Sequence, residues 1–268
     1  MLSVKSLVKF SAFVLFAASA AHAHDTWLQP ERFAATPGAT LDFGLTSADG
    51  FNGPDTAIKP ERVATVRGRL ADEAVALTSP VAGEKALRFS ATLPRPGVAV
   101  VGVELKPRVL ELEAGKIETY FREIHADESL RAVWAAVPEP RRWRESYVKN
   151  AKTFVRVGEP AVDERAWAQP LGLRLEIMPE RDPTELRAGE ALPVRVLRGG
   201  APLAGFTLAF VSAGETREHV VVTDDDGRAQ ATLDVRGAWL VHGTDLRRAT
   251  AVELEWESDF TTMVVEVK

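Results

Sequence analysis

The chain has 268 residues, with 33 lysines and arginines against 38 aspartates and glutamates, a formal net charge of −5. Hydrophobic residues make up 46% and charged residues 26%, globular values that exclude wholesale disorder, collagen-like repeats and a polytopic membrane protein. The acidic balance lacks the basic footprint that a phosphate backbone requires, so no nucleic-acid partner is expected, and the absence of cysteine excludes disulfides, thiolate metal sites, cysteine nucleophiles and lipid attachment through a lipobox.

Lys5 and Lys9 precede an apolar run at 10–18, and the small residues of ASAAHA follow, which is the order of a secretory signal peptide. The run is too short to span a bilayer. Removing residues 1–23 takes two lysines and no acids, leaving 245 residues with 31 basic and 38 acidic side chains, net −7. The expectation is an exported, periplasmic protein with no transmembrane segment in the mature chain.

From 25 to 112 the sequence reads as short alternating runs bounded by Gly, Pro, Asp and Asn: TLDFGLT (40–46), RVATVRGRL (62–70), ALRFSATL (86–93) and VAVVGVEL (98–105). Such spacing predicts an antiparallel β-sandwich. TSADGFNGPDTAIKP (46–60) holds so many turn residues that it predicts a long exposed loop.

Around Gly115 the period changes to that of a helix, with Ile117, Tyr120, Phe121 and Ile124 on one face. A second helical face continues with Leu130, Val133, Trp134 and Val137 until Pro138 and Pro140. Trp143, Tyr147 and Ala151 recur four apart and predict a further short helix, making a helical insert over 115–151 in an N-terminal sandwich over 24–157. GEPAVDERAWAQP (158–170) reads as a linker.

β signals then resume in LRLEIM (173–178), LPVRVL (192–197), FTLAFVS (206–212), HVVVT (219–223), RAQATLDV (228–235), AWLVHGT (238–244) and FTTMVVEV (260–267). This rhythm predicts a second, immunoglobulin-like or transthyretin-like sandwich over 171–268. The fold class expected is therefore mainly β, two sandwiches with a small helical insert. DDDG (224–227) lacks the alternate carboxylates of an EF-type calcium loop and predicts a hairpin turn.

The five histidines are His22, His24, His125, His219 and His242. Cleavage after Ala23 would make His24 the first residue, followed by Asp25, and a first-position histidine can chelate a divalent ion through its α-amine and imidazole. Cleavage after Ala21 would instead give His22-Ala23-His24, a square-planar nitrogen set suited to Cu(II) or Ni(II), and cleavage after Ala20 would lose that pattern. Otherwise His24 simply stands in solvent. His242 shares a strand face with Leu240 and Thr244 and either supplies a further nitrogen or is hydrogen-bonded at a strand end. His219 reads as a half-exposed strand residue. His125, in a helix break with Asp127 and Glu128, reads as an accessory ligand or part of a helix cap. With no G-x-S-x-G, H-E-x-x-H or P-loop, no enzymatic activity is expected.

HDTWLQPERF at 24–33, RESYVKNAKTFVRVGEP at 144–160, TDDDGRAQATL at 223–233 and GAWLVHGTDLRR at 237–248 resemble a periplasmic family of domain-of-unknown-function proteins. These are NikM-like, described as the periplasmic component of cobalt or nickel transport systems. The resemblance implies a non-catalytic accessory that presents nickel or cobalt, with copper left open, to a transporter or an outer-membrane receptor component. His24 and Asp25 carry the family's opening motif, and His242 with Asp25 or Asp245 would complete the ligand set. Two other functions remain in view. One is an envelope interaction module binding a protein or glycan through the 46–60 loop or faces bearing Trp27, Trp167 and Trp256. The other is a histidine-brace copper protein.

Overall fold

Among the described residues the first strand begins immediately after His24, and in chain order the main elements are β1 (Asp25–Pro30), β2 (Ala39–Ala48), β3 (Val63–Leu70), β4 (Leu87–Leu93), β5 (Gly97–Leu105) and β6 (Arg108–Leu112). Two helices follow, α1 (Ile117–Glu123) and α2 (Glu128–Ala135), then β7 (Trp143–Val157), β8 (Leu175–Pro179) and β9 (Glu190–Arg198). The chain finishes with β10 (Thr207–Ser212), β11 (His219–Val222), β12 (Arg228–Leu233), β13 (Gly237–Arg248) and β14 (Trp256–Val267). These come from a computed structural model, which describes residues 24–251 and 253–268; the expected leader, with His22, lies outside the described residues.

The protein is mainly β, and its described residues form three sheets. The longest has the order β11, β10, β13, β14, β7, β5, β3, with β6 paired to the first half of β7. A second sheet is built on β1, β2 and β4, and a third on β8, β9 and β12. β5 explains how they stack. Its sequence, GVAVVGVEL, is apolar and buried up to Glu104 because both faces are covered. Val98 and Val100 face a core with Phe154, Leu175, Ile177 and Val194, while Ala99, Val101 and Val103 face another with Leu28, Leu41, Phe43 and Phe89. The period-2 alternation of a strand therefore sends successive side chains into opposite cores, one under each smaller sheet.

β7 and β14 pair in parallel from Glu145 opposite Trp256 to Thr153 opposite Val264. That ladder joins a mid-chain strand to the C-terminal strand within one sheet. Trp143–Ala151, expected as a helix, is the first part of β7. A spacing of four is also even, so Trp143, Tyr147 and Ala151 fit one face of a strand as well as one face of a helix. Burial of Glu145, Asn150, Lys152 and Thr153 inside the sheet hides the apolar alternation that would have decided between them. The helical part of the expected insert thus ends with α2. There Trp134 is buried, whereas Val133 is largely exposed.

DDDG does form a tight turn, in which the Gly227 N–H donates to the Asp224 carbonyl at 2.9 Å. It is not a hairpin. β11 belongs to the long sheet and β12 to the third, so the turn carries the chain across the sandwich. The 46–60 segment is largely an exposed loop from 49 onward, as expected, but not throughout. β2 runs on to Ala48, and Phe51 is buried edge-on against Trp27 with ring centroids 5.2 Å apart. Trp27, Trp167 and Trp256 are core residues as well, which removes the exposed aromatic platforms a glycan-binding module would use.

Candidate functional site

Four segments far apart in sequence bring His and carboxylate side chains to one place. Asp25 opens β1, and that strand is tied to the long sheet where the Thr262 hydroxyl donates to the Thr26 carbonyl at 2.7 Å. Thr262 is the register partner of His242 on β13. The His242 Nδ1 accordingly lies 3.2 Å from Asp25 Oδ2. On the other side of β13, Ala209 of β10 stands opposite both His242 and Val220. Glu218, two residues from Val220 and on the same face, reaches across to put Oε1 3.2 Å from His242 Nε2.

His125 completes the group. It follows α1, with the Ala126 N–H bonded to the Phe121 carbonyl at 2.8 Å and the His125 N–H to the Arg122 carbonyl at 3.3 Å, the paired bonds of a Schellman ending. His125 has φ of 52°, the left-handed conformation usually taken by glycine at this position. Its Nε2 lies 2.8 Å from Glu218 Oε2, so one carboxylate lies between two imidazoles whose ring centroids are 6.4 Å apart. The helix break does contain a cap, but it is Asp127, whose side chain accepts from the Leu130 N–H at 2.8 Å.

Charge reinforces the geometry. Burial alone would lower the pKa of His242, but Asp25 and then Glu218 outweigh it and raise the imidazole to about 10. Glu218 is held well below the usual carboxylate range by hydrogen bonds from His125 and then His242. Lys149, half-buried, donates to the His24 carbonyl, and burial pushes its amine down to about 8 against the attraction of Asp25.

Among the residues expected to bind metal, Asp25 and His242 meet directly, and His24 adjoins them in sequence. Asp245 is elsewhere: it pairs with Arg198 at 2.9 Å and with Arg247 at 3.0 Å. His219 is half-buried, tilted against the Trp239 ring at 5.9 Å. Glu218 was not singled out by its sequence, since nothing in GETREHV marks it; only the pairing of β10 with both neighbours delivers it to His242. Among the described residues no three His, Cys, Asp or Glu gather as ready-made ligands around one point, since the imidazole nitrogens are instead paired with carboxylates.

Next to His242 the chain is sterically tight. A Cβ on Gly243 would fall 2.5 Å from the Thr207 carbonyl oxygen and 2.7 Å from the Phe206 ring. Gly243→Ala should therefore lower stability by about 1–3 kcal/mol, the usual cost of overpacking, and chemical denaturation would measure it. A stability within a few tenths of the parent would show that β10 yields freely at this point.

Over residues 21–244 the chain matches the model of the family described as Domain of unknown function (DUF4198), and it belongs to that family. No curated protein matches. Solved structures that are similar include the D0-D1 domain of intimin, at 14% identity over 90% of this chain and 96% of that one, with a TM-score of 0.24. The Escherichia coli adhesin FdeC is 12% identical over 92% of this chain and 66% of its own, with a TM-score of 0.25. Domains A168-A170 of titin are 7% identical over 91% and 67%, with a TM-score of 0.23. At such scores the likenesses say nothing about what this chain binds.

Proposed function

We propose that the protein binds a divalent transition metal, nickel, cobalt or copper, through His125, His242 and Glu218, joined by His24 when export processing frees its amine. The role is to bind and present the ion in the periplasm, to a transporter or an outer-membrane receptor component, and it is not catalytic. One observation carries the reading: both His125 and His242 turn Nε2 toward Glu218, while Asp25 backs His242 on Nδ1. A carboxylate on the far nitrogen is the usual way a ligating imidazole is oriented.

The residues fit such an ion. Nitrogen and oxygen donors without thiolate suit these divalent metals. The N···O separations of 2.8 and 3.2 Å are close to those between two donors on one ion bound at about 2.1 Å, so small rotations of Glu218 would suffice. His125 adds a second support. A non-glycine residue held in the left-handed region is mildly strained, and such strain is often retained for a side chain's function.

The test is titration of correctly processed protein with Ni(II), Co(II) and Cu(II), read by calorimetry and by thermal unfolding. A ligand bound only to the native state raises Tm by mass action. At least one ion should bind saturably, and losing His125 together with His242 should abolish that binding. Unchanged affinity in that double variant would overturn the reading, leaving the cluster as an ion-pair lock between the sheets and the helical pair.

A further inference from the structure

A separate group of cations surrounds Tyr147. Arg108 of β6 stands directly opposite Tyr147 of β7, and directly opposed residues of an antiparallel pair share a face. The Arg62 guanidinium lies 5.9 Å from the Tyr147 ring centroid, and the Lys149 ammonium lies 5.9 Å from the same centroid and 5.2 Å from that of Phe260. The Lys106 N–H donates to the Arg62 carbonyl at 2.7 Å, fixing the start of β3 beside the chain that leads into β6. Three positive side chains are thus held around one aromatic ring by three different strands or strand ends.

Their partners are what is missing. Among the described residues, none of Arg62, Arg108 and Lys149 has a carboxylate within ion-pairing distance, although the protein is acidic and half of its other arginines find one. Arg62 and Lys149 are half-buried, and Arg62 also feels the like charge of Arg108. Gathering like charges and partly desolvating them is unfavourable unless an anion joins them. The cation–π contacts with Tyr147 and Phe260 offset only part of that cost.

We infer that Arg62, Arg108 and Lys149, arranged around Tyr147, form a binding site for a small oxyanion bearing a carboxylate or phosphate group. Guanidinium forks match both groups bidentately, and the lysine adds a point charge. The site does not require a metal at His125 and His242, although it adjoins that cluster through the bond from Lys149 to the His24 carbonyl.

The experiment uses metal-free protein and follows thermal unfolding in succinate, in inorganic phosphate and in chloride at matched ionic strength. Succinate, phosphate or both should raise Tm saturably by several degrees beyond chloride, and the responding arm identifies the group recognised. Arg62→Gln combined with Arg108→Gln should abolish the rise while leaving the unliganded Tm equal or higher, because repulsion is relieved. Should that pair fail to fold, Arg108→Gln alone, at an exposed position, should still reduce the rise. The inference is overturned if neither anion exceeds chloride, or if the rise survives these substitutions. The metal response should persist in the arginine variants and the anion response in the histidine variants, so the two sites can fail independently.

Discussion

Replacing His125 with glycine should leave the metal-free protein within about 1 kcal/mol of the parent while weakening metal binding by at least about tenfold. Glycine occupies φ of 52° without the Cβ penalty of about 1–2 kcal/mol, which offsets loss of the partly exposed contact to Glu218. The ligand, however, is gone, and even residues that only orient ligands are worth ten- to a hundredfold. His242→Asn should behave differently. The His242 side chain is 9% exposed and stands between two carboxylates, so removing it leaves Asp25, 19% exposed, without its cation and Glu218 with His125 alone, at a cost of about 1–3 kcal/mol, along with the loss of metal binding. Urea denaturation and metal titration of the two variants separate a ligand from a structural partner. If His125→Gly bound metal like the parent, His125 would not be a ligand.

The pH response has a definite sign. In the metal-free protein the imidazole of His242 is raised from 6.5 to about 10, so its contribution to stability is full below 6.5 and is lost as pH rises toward 10. Glu218 is lowered from 4.5, so its contribution is present above 4.5 and lost as pH falls below it. Metal needs the neutral imidazole and releases its proton, so the gain in Tm on adding metal should grow with pH over the interval in which metal-free stability declines. Thermal unfolding across pH 6.5 to 10, with and without metal, would show the opposing trends. A metal-induced gain independent of pH would mean that the ion binds away from His242.

Strand content was legible because most buried strands carry either alternation or a bounded apolar run; Leu87–Leu93 alternates buried and exposed or half-buried residues along its whole length. β7 was not, because a strand covered on both faces and carrying Glu145, Asn150 and Lys152 inward has no apolar period to read. The same limit governs the site. His242 and Asp25 were visible as residue types on a strand face and near the expected processing site. Glu218 and the role of His125 depend on which strands lie beside β10 and on how α1 ends, and pairing order is a property of the whole chain. The aromatic residues that suggested a docking face went the other way: their size was better used in the core, as the stacking of Trp143 on Trp256 at 4.7 Å illustrates.

The largest loss of stability is expected away from the site, at Lys152 and Glu176. Both side chains are 1% exposed, with Nζ 2.8 Å from Oε1. Glu176 also accepts from the backbone N–H groups of Leu171, Gly172 and Leu173 at 2.8, 3.0 and 3.2 Å, which anchors the chain entering β8 onto β7 of the long sheet. Burial would raise the Glu176 pKa, but the charge and hydrogen bond of Lys152 and these N–H groups hold it below its usual value. Its contribution is therefore present above pH 4.5 and lost as pH falls below it. Glu176→Ala strands an ammonium among apolar side chains and orphans the three donors, so it should cost at least about 3–5 kcal/mol. Lys152→Met spares those donors but leaves the carboxylate without its cation, and protonation of Glu176 then limits the loss. The ordering expected in chemical denaturation is parent, then Lys152→Met, then Glu176→Ala. The reverse order would mean that the ion pair, rather than the backbone anchor, secures the third sheet to the long one.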